Sequence, residues 1–104
     1  MKKLFIITTM MLMFGFANAQ SNMWRGTNNQ GLISTFHKLD IEKWTETNND
    51  DVFYYKEVKK DVNEILLKDV YRDGVFIKLS GKQCFYKDNN NDWMLIYTGN
   101  WKFN

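Results

Sequence analysis

Between Val52 and Leu79 the chain reads VFYYKEVKKDVNEILLKDVYRDGVFIKL, three apolar runs separated by short polar stretches of Lys, Asp, Asn and Gly. Each run is too short for a helix and rich in aromatic and β-branched residues, so the pattern predicts three consecutive antiparallel strands, most simply a meander. Phe53 and Tyr55 share one face against Val52, Tyr54 and Val58; Ile65 and Leu67 share the next; Val75, Ile77 and Leu79 alternate with Phe76, Lys78 and Ser80. Period-two alternation of this kind sends one set inward and the other outward. Lys59-Lys60-Asp61 predicts the first turn, and Asp69–Gly74 the second, because its terminal Asp-Gly accepts positive φ.

Short strands are expected elsewhere too. One lies around Met23–Gly26, ahead of the turn-like Gly26–Gly31, and Leu32–Leu39 reads as a strand with a single helical turn as the competing assignment. In Ile41–Thr47 the alternation sets Glu42, Trp44 and Glu46 against Ile41, Lys43, Thr45 and Thr47, and a single inward Trp suggests an edge strand. Ser80-Gly81-Lys82 turns the chain into Gln83–Lys87, where Cys84 and Tyr86 share a face opposite Phe85. The loop Asp88–Asp92 follows, then Trp93–Thr98 with Trp93, Leu95 and Tyr97 on one face, and Gly99-Asn100 as a turn or bulge before Trp101–Phe103. Six to eight short strands with turn signals every ~8–12 residues predict an all-β fold: a small antiparallel meander forming a curled sheet, sandwich or barrel. Proline is absent, so any edge must be protected by lysines and loops.

The N-terminus has a different pattern. Lys2 and Lys3 precede the apolar run Leu4–Ala17, broken only by Thr8, Thr9 and Gly15, which ends in Ala17-Asn18-Ala19. Residues 1–19 therefore read as a cleaved secretory signal and residues 20–104 as a single domain, secreted or periplasmic. The run falls short of the ~20 residues that span a bilayer, so no membrane span is expected once the signal is removed. No Cys stands near the cut to carry a lipid.

Signal removal changes the charge balance. The whole chain has 14 Lys and Arg against 12 Asp and Glu; without Lys2 and Lys3 the two signs are equal. A neutral domain gives no reason to expect a nucleic-acid or acidic-membrane partner, since both need a clustered positive surface. A domain of this size buries only about 60% of the surface its unfolded chain exposes. With Cys84 as the only cysteine, no intrachain disulfide can staple it. Stability must come from aromatic residues, 16% of the chain, with Phe5, Phe14 and Phe16 leaving with the signal. The low-proline, Asn- and Lys-rich composition suggests a bacterium.

Candidate chemistry is sparse. His37 is the only histidine, and although Asp40 and Glu42 lie close in sequence, neither a strained nucleophile turn nor a Gly-rich oxyanion loop accompanies it. No catalytic residues and no enzyme are expected. Cys84, among apolar strand neighbours, reads as a packed, inert thiol, with an intermolecular disulfide as the alternative. Asp88, Asn90 and Asp92 have the spacing of the first ligands of a calcium loop, but Trp93 stands where the sharp turn needs Gly and Gly99 where a bidentate Glu belongs. Neither a metal nor any other cofactor is expected. Glu57, Glu64 and Asp69 have no spacing that fixes two carboxyl groups together.

Binding fits the composition better, because Trp and Tyr beside Asn and Asp combine flat apolar faces with polar groups. The candidate ligand-binding residues are Trp24, Tyr71, Arg72, Trp93 and Trp101. Trp93 and Trp101 are also wanted for the core, whereas Trp24 and Tyr71, in turn-rich segments, are expected at the surface. Arg72 could bind a partner's carboxylate or brace Asp69 or Asp73. The expectation is an exported, non-enzymatic module that binds a glycan or an envelope protein. The alternative is a structural or inhibitory protein that pairs an exposed sheet edge with its partner, with a small hydrolase third.

Overall fold

Period-two alternation produces eight strands in the computed structural model, which describes residues 22–102. The signal expected at 1–19 lies outside the described residues. The strands are β1 (Met23–Thr27), β2 (Ile33–Lys38), β3 (Lys43–Asn48), β4 (Asp51–Lys60), β5 (Glu64–Asp69), β6 (Phe76–Ser80), β7 (Gln83–Lys87) and β8 (Met94–Lys102). Each pairs antiparallel with the next, and β8 returns to pair with β1, so of the three expected architectures the sheet forms a closed up-and-down barrel. Turns 28–32, 49–50, 70–75 and 88–93 gather at one end, here called the mouth; turns 39–42, 61–63 and 81–82 gather at the other, the base.

The strand expected in Leu32–Leu39 is present over Ile33–Lys38, in place of the competing helical turn. Several other expectations need correction. Lys59 and Lys60 extend β4, so the first turn of the meander starts only at Asp61. β3 is no edge, because β2 and β4 flank it on both sides and closure leaves no strand half-paired. Gly99-Asn100 does not turn the chain: both residues lie inside β8. Their role is set by β1, since Gly26 and Gly99 face each other across the seam and a Cβ on Gly99 would fall on the Arg25 carbonyl and the Gly26 Cα. Leu95 leaves the face of Tyr97 because the β7–β8 register shifts between them, leaving Tyr97 buried and Leu95 exposed.

Inward positions fill the barrel with Trp24, Phe36, Trp44, Tyr55, Leu67, Ile77, Leu79 and Cys84. Trp24 meets Phe36 edge-on at 6.1 Å, and Phe36 meets Tyr55 at 6.0 Å, so one aromatic chain crosses the interior from β1 to β4. Each such side chain contributes roughly 3 kcal/mol of gross hydrophobic stabilisation, in place of the disulfides a small domain might otherwise need.

Candidate functional site

The five residues singled out by sequence are spread over both ends of the barrel. Trp24 is a correction: expected at the surface, it is fully buried, with its indole Nε1 donating to the Gly81 carbonyl at 2.9 Å. Alternation in β1 places it inside, although the residues around it have turn composition. Trp101 stands opposite Trp24 in register and is half-buried, packed edge-on against Trp44 at 6.3 Å. Tyr71 is 79% exposed on the β5–β6 loop, in edge contact with Tyr54 at 84°. Trp93 is half-buried in the β7–β8 loop beneath the Lys78 ammonium, 4.5 Å from its ring centre. Tyr71, Arg72 and Trp93 thus share the mouth, where Gly74 (φ 78°) lets the two loops meet against Asn89. Tyr71 and its ring neighbour Tyr54, at 84° to each other, do not form a coplanar platform for stacking a sugar.

Arg72 braces the mouth. The carboxylate of Asp69, a buried residue, accepts the backbone N–H groups of Tyr71 (2.8 Å) and Arg72 (2.7 Å) on Oδ1, and the Arg72 Nε–H on Oδ2. The guanidinium also lies 4.2 Å above Phe53 and donates from Nη2 to the Tyr55 hydroxyl at 3.0 Å. Tyr55 in turn donates to Glu46 Oε1 at 2.6 Å, while Glu46 Oε2 accepts from Ser34 Oγ (2.6 Å) and Asn48 Nδ2 (3.3 Å). Burial, and then the Glu46 carboxylate, push the Tyr55 hydroxyl far above its usual range, and the same two causes raise Tyr97. Burial opposes charge on Arg72, but its hydrogen bond to Asp69 and the neighbouring Tyr55 more than offset this and raise it.

All four carboxylate oxygens of Glu46 and Asp69 hold a donor. The groups therefore form one continuous hydrogen-bonded network through the mouth end of the barrel. Glu46 was not among the sequence candidates. Its signal was the alternation of β3, which sets a carboxylate on the same face as Trp44.

Beside this network a depression of about 480 Å³ opens between the β1–β2 loop and β8. Leu95, Ile96 and Tyr97 form its apolar side; Thr27, Thr98 and the amides of Asn28, Asn29 and Gln30 form its polar side. Asn28 Oδ1 accepts the N–H groups of Gln30 (2.9 Å) and Leu32 (3.0 Å), which fixes the loop and leaves the Asn29 and Gln30 side chains exposed. Tyr97 reaches from the depression to Ser34 and Asn48, joining it to the Glu46 network.

The remaining candidate groups are placed as follows. His37 is exposed, and its register partners are Met23 and Thr45, neither of them an acid. Cys84 is fully buried, and burial pushes its thiol up. The Asp88 carboxylate accepts the Tyr86 hydroxyl (2.8 Å) and the N–H groups of Asn90 (2.9 Å) and Asn91 (2.8 Å), which lower its pKa and tie down its own loop. Among the described residues, no three His, Cys, Asp or Glu side chains gather as metal ligands. No protein-family model, curated protein or solved structure matches the chain.

Proposed function

We propose that the chain is an exported, non-enzymatic binding module of the bacterial envelope or medium, whose ligand is a neutral glycan held in the depression at the barrel mouth. The observation that carries this reading is the lining of that depression: amides and hydroxyls on one side, Leu95, Ile96 and Tyr97 on the other, and no charged side chain. A sugar ring presents the same division, hydroxyls at its edge and C–H groups on its faces. The volume lies within the roughly 300–1,000 Å³ of small-ligand sites. The Glu46–Tyr55–Arg72 network supports the reading by holding the adjacent strands and loops in one arrangement, which lowers the ordering cost of binding.

Two other readings lose their footing. Edge pairing needs an open strand, and the β1–β8 pairing leaves none among the described strands. Hydrolysis through His37 needs an acid to orient it as well as a nucleophile, and of its register partners Thr45 offers a hydroxyl while Met23 supplies no acid. The barrel is also apolar inside with lysines on its wall, the reverse of a membrane-spanning barrel.

Calorimetric titration of the purified protein with a panel of neutral oligosaccharides tests the proposal. One member is expected to bind, and Asn29→Ala or Gln30→Ala to weaken it about three- to tenfold each, the range of one lost hydrogen bond. Undiminished binding by the double variant, or no binding across the panel, would sink the mouth as a glycan seat.

A further inference from the structure

Register brings together lysines that are far apart in sequence. Lys43 lies opposite Lys56, Lys56 opposite Lys68, Lys68 opposite Phe76, and Phe76 opposite Lys87, forming one outward row across β3 to β7. These four lysines make no ion pair among the described residues. Lys78 stands in the next row toward the base, between Leu66 and Phe85. Most carboxylates lie in the turns or, like Glu46 and Asp69, inside the barrel, so a chain with nearly equal charges carries one positive band, with the Asp40 and Glu42 carboxylates beside its Lys43 end. Like charges directly opposite in a sheet are destabilising.

We propose that this row is a binding track for a linear acidic polysaccharide, its carboxylate or sulfate groups paired with Lys43, Lys56, Lys68 and Lys87. Neighbouring strands are about 4.8 Å apart, so the row offers closely spaced charges along the hydrogen-bond direction. From β3 to β7 is four of the eight strand-to-strand steps around the barrel, half its girth, and Lys43 and Lys87 therefore point to opposite sides. A flat bilayer meets only the two or three lysines on one side. A flexible chain that wraps the wall meets all four.

Single-stranded nucleic acid is a linear polyanion too, but its binding relies on aromatic faces for base stacking. Here Phe85 and Trp93 lie beneath Lys78, at 5.3 and 4.5 Å, Phe76 is half-buried, and the exposed Tyr54 and Tyr71 meet edge-on at 84° instead of presenting parallel faces. At the β3 end of the row, a depression of about 600 Å³ is lined by Ile41, Val70, Lys43 and Lys56 but also by the Asp40 and Glu42 carboxylates of the β2–β3 turn, so it adds no seat for an acidic sugar and the row itself carries the contact. The track is separate from the depression between the β1–β2 loop and β8, whose lining residues are uncharged, and stands whether or not that depression binds a glycan.

Long-chain polygalacturonate, (dT)20 and phosphatidylglycerol vesicles, each titrated into the whole protein at low and physiological salt, distinguish the partners. Polygalacturonate is expected to bind, more weakly as salt rises. Each single Lys→Gln change in the row should weaken it about two- to fivefold, the range of one exposed ion pair. The quadruple variant K43Q/K56Q/K68Q/K87Q should lose binding while melting at or above the wild-type temperature, since three of the four charges are exposed, Lys87 is half-buried, and Lys43, Lys56 and Lys68 repel one another across the register. If it fails to fold, K56Q and K68Q alone decide by the same criterion. Asn29→Ala should leave polygalacturonate binding unchanged. Wild-type affinity in the Lys→Gln variants, or binding of (dT)20 or the vesicles as tight as that of polygalacturonate, overturns the proposal.

Discussion

Arg72 touches solvent with 40% of its side chain, yet it holds a carboxylate that is 2% exposed. Its value lies in what its removal leaves behind: Asp69 keeps two backbone donors but loses its only cation, and Tyr55 loses the donor on its hydroxyl. Arg72→Ala is therefore expected to destabilise the domain by about 1–3 kcal/mol, measured as a shift of the urea midpoint at constant slope. Arg72→Lys should recover only part of that, because an ammonium cannot serve Asp69 and Tyr55 with a planar fork. The three-residue spacing of Asp69 and Arg72 made their pairing readable in the sequence. The extension through Tyr55 to Glu46 was not, because it depends on the tight turn that brings β3 and β4 into register. Trp24 was misread for a related reason. Its neighbours have turn composition, and burial is decided by strand parity, which one apolar neighbour is too few to reveal.

Among the elements, the seam between β1 and β8 is the most sensitive to a small change. Two backbones approach closely at Gly26 and Gly99, and a single methyl on Gly99 would have to displace backbone rather than a movable side chain. Gly99→Ala is expected to cost at least about 3 kcal/mol, and amide exchange in β1 and β8 should rise before that of β5 and β6. Composition could not separate this glycine from one in a turn, since both uses need a missing Cβ and only the partner strand tells them apart. The strands themselves were legible, because each carries its own alternation and its own turn residues. The lysine row was invisible for the opposite reason: no single strand contains it, and the neutral composition conceals it.

For the whole molecule, pH stability follows from what the closed barrel buries. Burial is the leading cause that raises Cys84, Tyr55 and Tyr97, so each is held protonated in the folded state more firmly than in the unfolded chain. Groups raised in this way contribute stability that is complete below their unfolded values and is lost as pH climbs past them. The melting temperature is expected to hold up to about pH 8, to fall above about pH 9 as the unfolded thiol ionises, and to fall faster above about pH 10 with the tyrosines. Cys84→Ala should flatten the first part of that decline and leave the second, which a thermal scan series across pH 7–11 would read. Closure itself, the property that makes these groups so inaccessible, was beyond the sequence, since it rests on pairing the first strand with the last.

That same pairing decides how the domain responds to force. Met23 lies opposite Lys102, so the two ends of the described chain emerge side by side at the base. Tension applied through them loads the β1–β8 hydrogen bonds one after another, starting at that pair, instead of shearing them all together. The barrel would open like a zip at low force, and the glycine contact at Gly26 and Gly99 would be among the last teeth of the seam to part.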